Sequence, residues 1–185
     1  MTEYIKASEL VKQPVITLDG EDVAQVKDVV FEPEDGSVRG FTLAGRGLLS
    51  GPMKKTLPAE GVHGLGQDAV MIRDERALEG EDETSEVAER GGGDVMGAMV
   101  MTANGTRLGK LVDVIIEAGE RPAVAGYEVE SSGGRHRRML LPVPRPVGVS
   151  GDIVVVPDAV ADFTAGDLAG FTEAARGLRS RLEEE

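Results

Sequence analysis

VITLDGEDVAQVKDVVFEPEDGSVRGFTL, residues 15–43, is written twice in this chain. Thr17-Leu18-Asp19-Gly20, Val26-Lys27-Asp28-Val29-Val30-Phe31 and Gly40-Phe41 return as Thr102-Ala103-Asn104-Gly105, Leu111-Val112-Asp113-Val114-Ile115-Ile116 and Gly126-Tyr127. The offset is 85 up to Phe31/Ile116, 86 at Gly40/Gly126, and 84 from Leu57-Pro58/Leu141-Pro142 through Asp68-Ala69-Val70/Asp152-Ile153-Val154. Offsets that hold inside apolar blocks and change only between them are the trace of insertions in surface loops. The chain is two copies of one unit.

The unit is a β unit. Val15 to Leu18 is a short, partly β-branched run ended by Asp19-Gly20, and Val100 to Ala103 ends in Asn104-Gly105. Asp-Gly and Asn-Gly tolerate positive φ at both central turn positions, so each predicts a type I′ hairpin. The following strands, Val23 to Phe31 and Leu108 to Ile116, are apolar on both faces near their ends, as in a strand bent through a barrel. Pro33-Glu34-Asp35-Gly36 reads as a turn. Third strands follow at Val38–Leu43 and Val124–Val129. Each carries a glycine, Gly40 or Gly126, where a barrel strand bends or is closely approached. Ahead of the first strand, Ser8 reads as the cap of a helical turn whose Leu10 and Val11 plug a barrel end.

Together, Ala7-Ser8-Glu9-Leu10, Pro14-Val15, Asp19-Gly20, Val26-Lys27-Asp28-Val29, Gly40-Phe41, Leu57-Pro58 and Asp68-Ala69-Val70-Met71-Ile72 resemble the PRC-barrel domain. This is the small β-barrel of the photosynthetic reaction-centre H subunit and of a ribosome maturation factor. The second copy resembles it through Asn104-Gly105, Gly109 to Val114, Gly126-Tyr127, Leu141-Pro142 and Asp152 to Val156, and departs at Val143-Pro144-Arg145-Pro146. The expected fold is mainly β, two small PRC-like barrels in tandem with a C-terminal α-helix. The expected boundaries are 1–73 for the first barrel, 74–94 for an acidic, glycine-ended linker, 95–163 for the second barrel and 164–185 for the helix.

Composition narrows the chemistry. There is no Cys, hence no disulfide, thiolate metal site or catalytic thiol. His63 and His136 are the only imidazoles and sit on non-equivalent loops without companion ligands. The 3% aromatic share leaves Val, Leu, Ile and Met to fill the cores. No signal-like or membrane-spanning run is present in the sequence, which predicts a cytoplasmic protein. Net charge is −13, a field that repels nucleic acid and anionic lipid. The glycine-rich segment Ala44 to Lys55 lacks the Gly-Lys-Ser/Thr and helix of a phosphate loop, and reads as a plain inter-strand loop. Eight of the residues from Arg73 to Arg90 are acidic and Gly91-Gly92-Gly93 follows, so the segment reads as a spacer, without the alternating pattern of a calcium loop.

Two surface features remain. Arg135-His136-Arg137-Arg138 is the one concentrated basic run; it reads as a solvated hairpin tip, or as an acidic docking site in Arg135, Arg137 and Arg138. In the last segment Leu168, Phe171, Ala175, Leu178 and Leu182 recur at helical spacing, with Thr164 and Asp167 as a capping-box-like start. That stripe docks on its own barrel or pairs with a second protomer as a homodimer. Asp28 and Asp113 recur at one barrel position and read as structural acceptors of backbone N–H groups at a bend, alongside the recurring Gly40/Gly126 and Pro58/Pro142.

No nucleophile, acid–base pair or metal spacing is present, so no catalytic residue, metal ligand or cofactor is assigned and the protein is expected not to be an enzyme. The resemblance implies an adaptor or regulatory module that binds a partner protein. The alternatives are a small-ligand or anion sensor with its site between the barrels near Arg135–Arg138, and an RNA-associated factor, which the charge opposes.

Overall fold

The computed structural model of the protein describes residues 3–46, 51–80, 95–131 and 137–185. Two compact units divide the chain: Met1–Glu32, Ser37–Gly92 and Glu117–Ala123 form one, and Pro33–Gly36, Gly93–Ile116 and Val124–Glu185 the other. Both are mainly β, as the repeat predicts.

The first copy runs through β1 (Glu3–Lys6), α1 (Ala7–Leu10), β2 (Pro14–Thr17), β3 (Asp22–Phe31), β4 (Val38–Ala44), β5 (Pro52–Pro58), β6 (Val62–Leu65) and β7 (Val70–Ile72). Its strand order is β5-β4-β3-β2-β7-β6. β2 pairs with β3 antiparallel and with β7 parallel, Val15 opposite Val70 and Thr17 opposite Ile72. β5 and β6 stand at opposite ends of that order, yet only the 3-10 turn Ala59–Gly61 separates them in sequence. The sheet therefore curls until its ends meet, which is a barrel. Val15, Leu43, Phe41, Leu57, Val70 and Ile72 fill it, and Leu10 of α1 is fully buried with them. The N-cap of α1 is Lys6, not Ser8, and no side chain caps it.

The second copy repeats the plan in β8 (Met99–Thr102), β9 (Arg107–Ala118), β10 (Ala123–Ser131), β11 (Arg137–Pro142), β12 (Gly148–Val149) and β13 (Ile153–Val156). The order is β11-β10-β9-β8-β13-β12, and β8 again pairs with the last core strand in parallel, Val100 opposite Val154 and Thr102 opposite Val156. Val100, Leu111, Val129, Leu141, Val154 and Val156 make its core. Tyr127, opposite Leu141, joins them, and burial pushes its phenol pKa up to about 12.

The recurring turns are not type I′. Gly20 and Gly105 have φ of +90° and +91°, whereas Asp19 and Asn104 stay out of the left-handed region. Each loop has three residues: Gly20 N–H donates to Thr17 O (2.9 Å) and Thr17 N–H to Glu21 O (2.9 Å), with the same pair at Gly105, Thr102 and Thr106. This is a turn closed by a glycine bulge, in which only the glycine needs positive φ. The buried Thr17 and Thr102 hydroxyls accept from Glu21 N–H and Thr106 N–H at 3.0 Å, so the threonine recurs for the turn it holds.

Composition placed the end of the first barrel at residue 73, and the structure carries it further. Asp74 caps the 3-10 turn Glu75–Ala77 by accepting from Arg76 N–H. Thr56 and Glu79 then exchange backbone hydrogen bonds of 3.0 and 2.9 Å. The second copy does the same: after the 3-10 turn Asp158–Asp162, Leu140 and Ala165 exchange bonds of 2.7 and 2.9 Å. Acidic side chains hid this pairing because it is made by backbone groups alone. Residues 81–94, the rest of the predicted linker, lie outside the described residues.

Close approach explains one glycine sharply. At Gly109, φ is +148° and an added Cβ would lie 2.6 Å from Glu130 O. Gly109→Ala is expected to cost about 2–4 kcal/mol from backbone strain plus clash, whereas Gly119→Ala, with open space around it, stays near neutral; chemical denaturation of the two variants separates them. A second expectation concerns Tyr127. Its raised pKa means that the unfolded chain ionises first, so the stabilisation is complete below pH 10 and is lost as pH rises toward 12. Tyrosine absorbance should show a late-titrating phenol that Tyr127→Phe removes.

Candidate functional site

Two outer faces of the second barrel carry the residues that matter, and the helix decides between them. Leu168–Glu183 forms α2, starting later than the sequence suggests. Its N-cap is Asp167, whose Oδ1 accepts from Gly170 N–H at 2.7 Å; Thr164 takes no part because Ala165 is held in the pairing with Leu140.

The helix lies on β11. Phe171 and Leu178 are buried at 0% and 1% exposure, and Leu168, Ala175 and Leu182 are half-buried beside them. An added Cβ at Gly126 would meet the Phe171 ring at 2.9 Å as well as Leu141 O. Gly126 stands opposite Pro142 on β11, as Gly40 stands opposite Pro58 in the first copy, where a Cβ would run into Leu57 O. The recurring glycine thus clears the neighbouring strand in both copies, and in the second it also admits an aromatic ring. Gly177 on α2 in turn receives the Phe163 ring. The stripe is thus docked on its own barrel. Phe171 and Leu178, two of the residues offered from sequence as partner contacts, are buried within the chain.

The basic run fares unevenly. Arg135 and His136 lie outside the described residues. Arg138 is exposed and reaches the buried Glu128 carboxylate at 3.5 Å, an ion pair within its own barrel. Arg137 is exposed at the start of β11. The recurring aspartates diverge too. Asp113 is buried and its Oδ1 accepts from Val114 N–H at 2.8 Å, the structural task expected of it. Asp28, opposite Thr42 at a register shift, is exposed. Among the described residues no group of three His, Cys, Asp or Glu stands together in a way that would hold a metal, and no helix is long and apolar enough to cross a membrane.

The second face was not singled out from sequence. Along β8 and β13, Val100, Thr102, Val154 and Val156 point inward and are buried. Alternation turns Met99, Met101, Ile153 and Val155 outward. The parallel register sets Ile153 beside Met99 and Val155 beside Met101, a two-by-two apolar strip. Ile153 is 41% exposed, and the nearby Met96 and Val147 are 45% and 63% exposed. On the β9 side the strip is bordered by Lys110, opposite Met99, and Arg107, opposite Met101.

The first copy provides an internal comparison. There the four outer positions hold Pro14, Ile16, Ala69 and Met71, and the bordering column holds Gln25 and Asp22. Asp22 is engaged by Arg46 at 2.8 Å. Two of the four outer positions are larger in the second copy, Met99 for Pro14 and Ile153 for Ala69, and the cationic border is found in that copy alone.

If α2 is structural, Phe171→Ala should destabilise the second barrel by about 3–5 kcal/mol, the usual cost of deleting a buried ring. Thermal unfolding would show it. Removal of residues 165–185 should lower stability while sedimentation velocity shows no change in association state.

The PRC-barrel domain family model matches residues 2–77 and 89–171. No curated protein matches the chain. Two matches that between them take in both repeated sheets, both closing 3-10 turns and the start of α2 leave one conclusion: the chain belongs to the PRC-barrel family and carries its domain twice.

Proposed function

We propose that the protein is a non-catalytic adaptor or regulatory module that binds a partner protein through the outer face of its second barrel. One observation carries the reading: Met99, Met101, Ile153 and Val155 form an apolar strip left partly in water, on the copy whose other outer face is covered by α2. Apolar side chains held in water on a rigid sheet favour association, at about 25 cal/mol per Å² of area removed from solvent. Methionine suits the task, being flexible and polarizable enough to fit an irregular partner surface. Arginine beside it is typical of protein interfaces, in which lysine and the acids are less common.

The strip offers thioethers, aliphatic groups and cations, none of which is a nucleophile paired with a base, so binding rather than reaction is its chemistry. A charge of −13 over the whole chain argues for a protein partner and against nucleic acid. The cytoplasm is the proposed working place, in keeping with a chain that uses no disulfide.

Ile153→Asp tests this. The position is on the surface, so the variant should fold with an unchanged melting temperature. Burying a charge at the centre of an interface costs about 2 kcal/mol or more, roughly thirtyfold in affinity. The variant is expected to lose a partner that the unaltered chain retains from native extract, while Ala69→Asp at the equivalent position of the first copy retains it. Equal retention by both variants would reject the reading.

A further inference from the structure

Resting on that reading, we infer that the partner element seated on the β8–β13 strip is an acidic amphipathic α-helix. Three cations lie around the strip: Lys110 and Arg107 along β9, and Arg145 two residues before the exposed Val147. All three are exposed, and none makes an ion pair within the chain among the described residues. Two carboxylates are near. Asp152 precedes β13, and Asp158 accepts from Asn104 N–H at 2.8 Å at the far end of the strip. Against Asp152 and Asp158 the three cations leave a balance of +1 in a protein of net charge −13. Cations retained unpaired around an apolar patch, on so acidic a chain, select a partner that brings carboxylates and repel one that brings lysines.

The shape of the site selects a helix. An extended segment would add to a sheet edge through backbone hydrogen bonds, and both edges of this sheet are blunted. β12 is two residues long and follows Pro144 and Pro146, while β11 is already paired at Leu140 with Ala165. What is left open is the side-chain face. Its two apolar columns lie about 4.8 Å apart, with residues about 6.7 Å apart along each strand. A helix with apolar residues at i, i+3, i+4 and i+7 presents a stripe of matching step, and acidic residues flanking that stripe fall over Lys110 and Arg107.

The test uses the full chain and two synthetic helical peptides of identical leucine stripe, one with glutamate and one with lysine at the flanking positions. Binding is read by fluorescence anisotropy in low salt. The glutamate peptide is expected to bind about tenfold more tightly than its lysine twin, and Ile153→Asp to weaken both. Arg107→Glu/Lys110→Glu, at two exposed unpaired positions and with unchanged melting temperature, should reverse the preference.

Equal affinity for the twins, or a preference the charge reversal leaves in place, overturns the inference. So does failure of both peptides while a native partner is still held in an Ile153-dependent way; the adaptor reading then survives with a partner of other chemistry. An Ile153-dependent dimer in sedimentation also overturns it, the occupant then being a second copy. Binding of neither peptide nor native partner in an Ile153-dependent way rejects both.

Discussion

The parallel pairing of the first core strand of each copy with its last, β2 with β7 and β8 with β13, is the contact from which the rest of each unit follows. It joins residues about fifty-five positions apart, a loop-closure cost that only extensive burial offsets. Val15, Val70 and Ile72 in one copy, and Val100, Val154 and Val156 in the other, supply that burial with no measurable exposure. The same register fixes the outside. A slip of one residue would carry every inward valine to water and every outward methionine into the core. The outer strip is thus set in place by the element that holds the barrel together, and this gives it the rigidity that a binding surface needs.

Two copies of one fold differ in what their outer faces carry. The β10–β11 face of the second copy accepts α2 because Gly126 leaves room for Phe171. Its β8–β13 face holds Met99, Met101, Ile153 and Val155 where the first copy has Pro14, Ile16, Ala69 and Met71. Lys110 and Arg107 stand where the first copy has Gln25 and Asp22 in the bordering column. The interior is mainly aliphatic in both, with a buried ring at one repeated position, Phe41 and Tyr127. In the proposed reading the faces carry the function, since a fold alone does not specify one.

The repeat made the strands, the two barrels and the glycine–proline positions legible, because these depend on local period and on close approach that any copy must satisfy. The helical stripe was legible for the same reason. Other features depend on geometry that composition does not encode. Asp-Gly is compatible with two hairpin types, and the bonds at Thr17 choose between them. Asp74 to Glu79 looks like solvated spacer because its side chains are acidic, yet its backbone pairs with Thr56. Asp28 and Asp113 occupy one position of the repeat but differ in burial, which neighbouring strands decide. Met99 and Met101 are indistinguishable from core residues in sequence; only the parallel register turns them outward.

The central claim is that the chain works through the β8–β13 face while α2 holds its own barrel. Methionine oxidation footprinting of the full chain, alone and in native extract, addresses it with probes already in the sequence. Met99 and Met101 should be protected in extract, while Met71, on the equivalent face of the first copy, reacts at the same rate in both. Unchanged oxidation of Met99 and Met101, together with new protection of α2 from hydrogen exchange, would place the working surface on the helix and contradict the account.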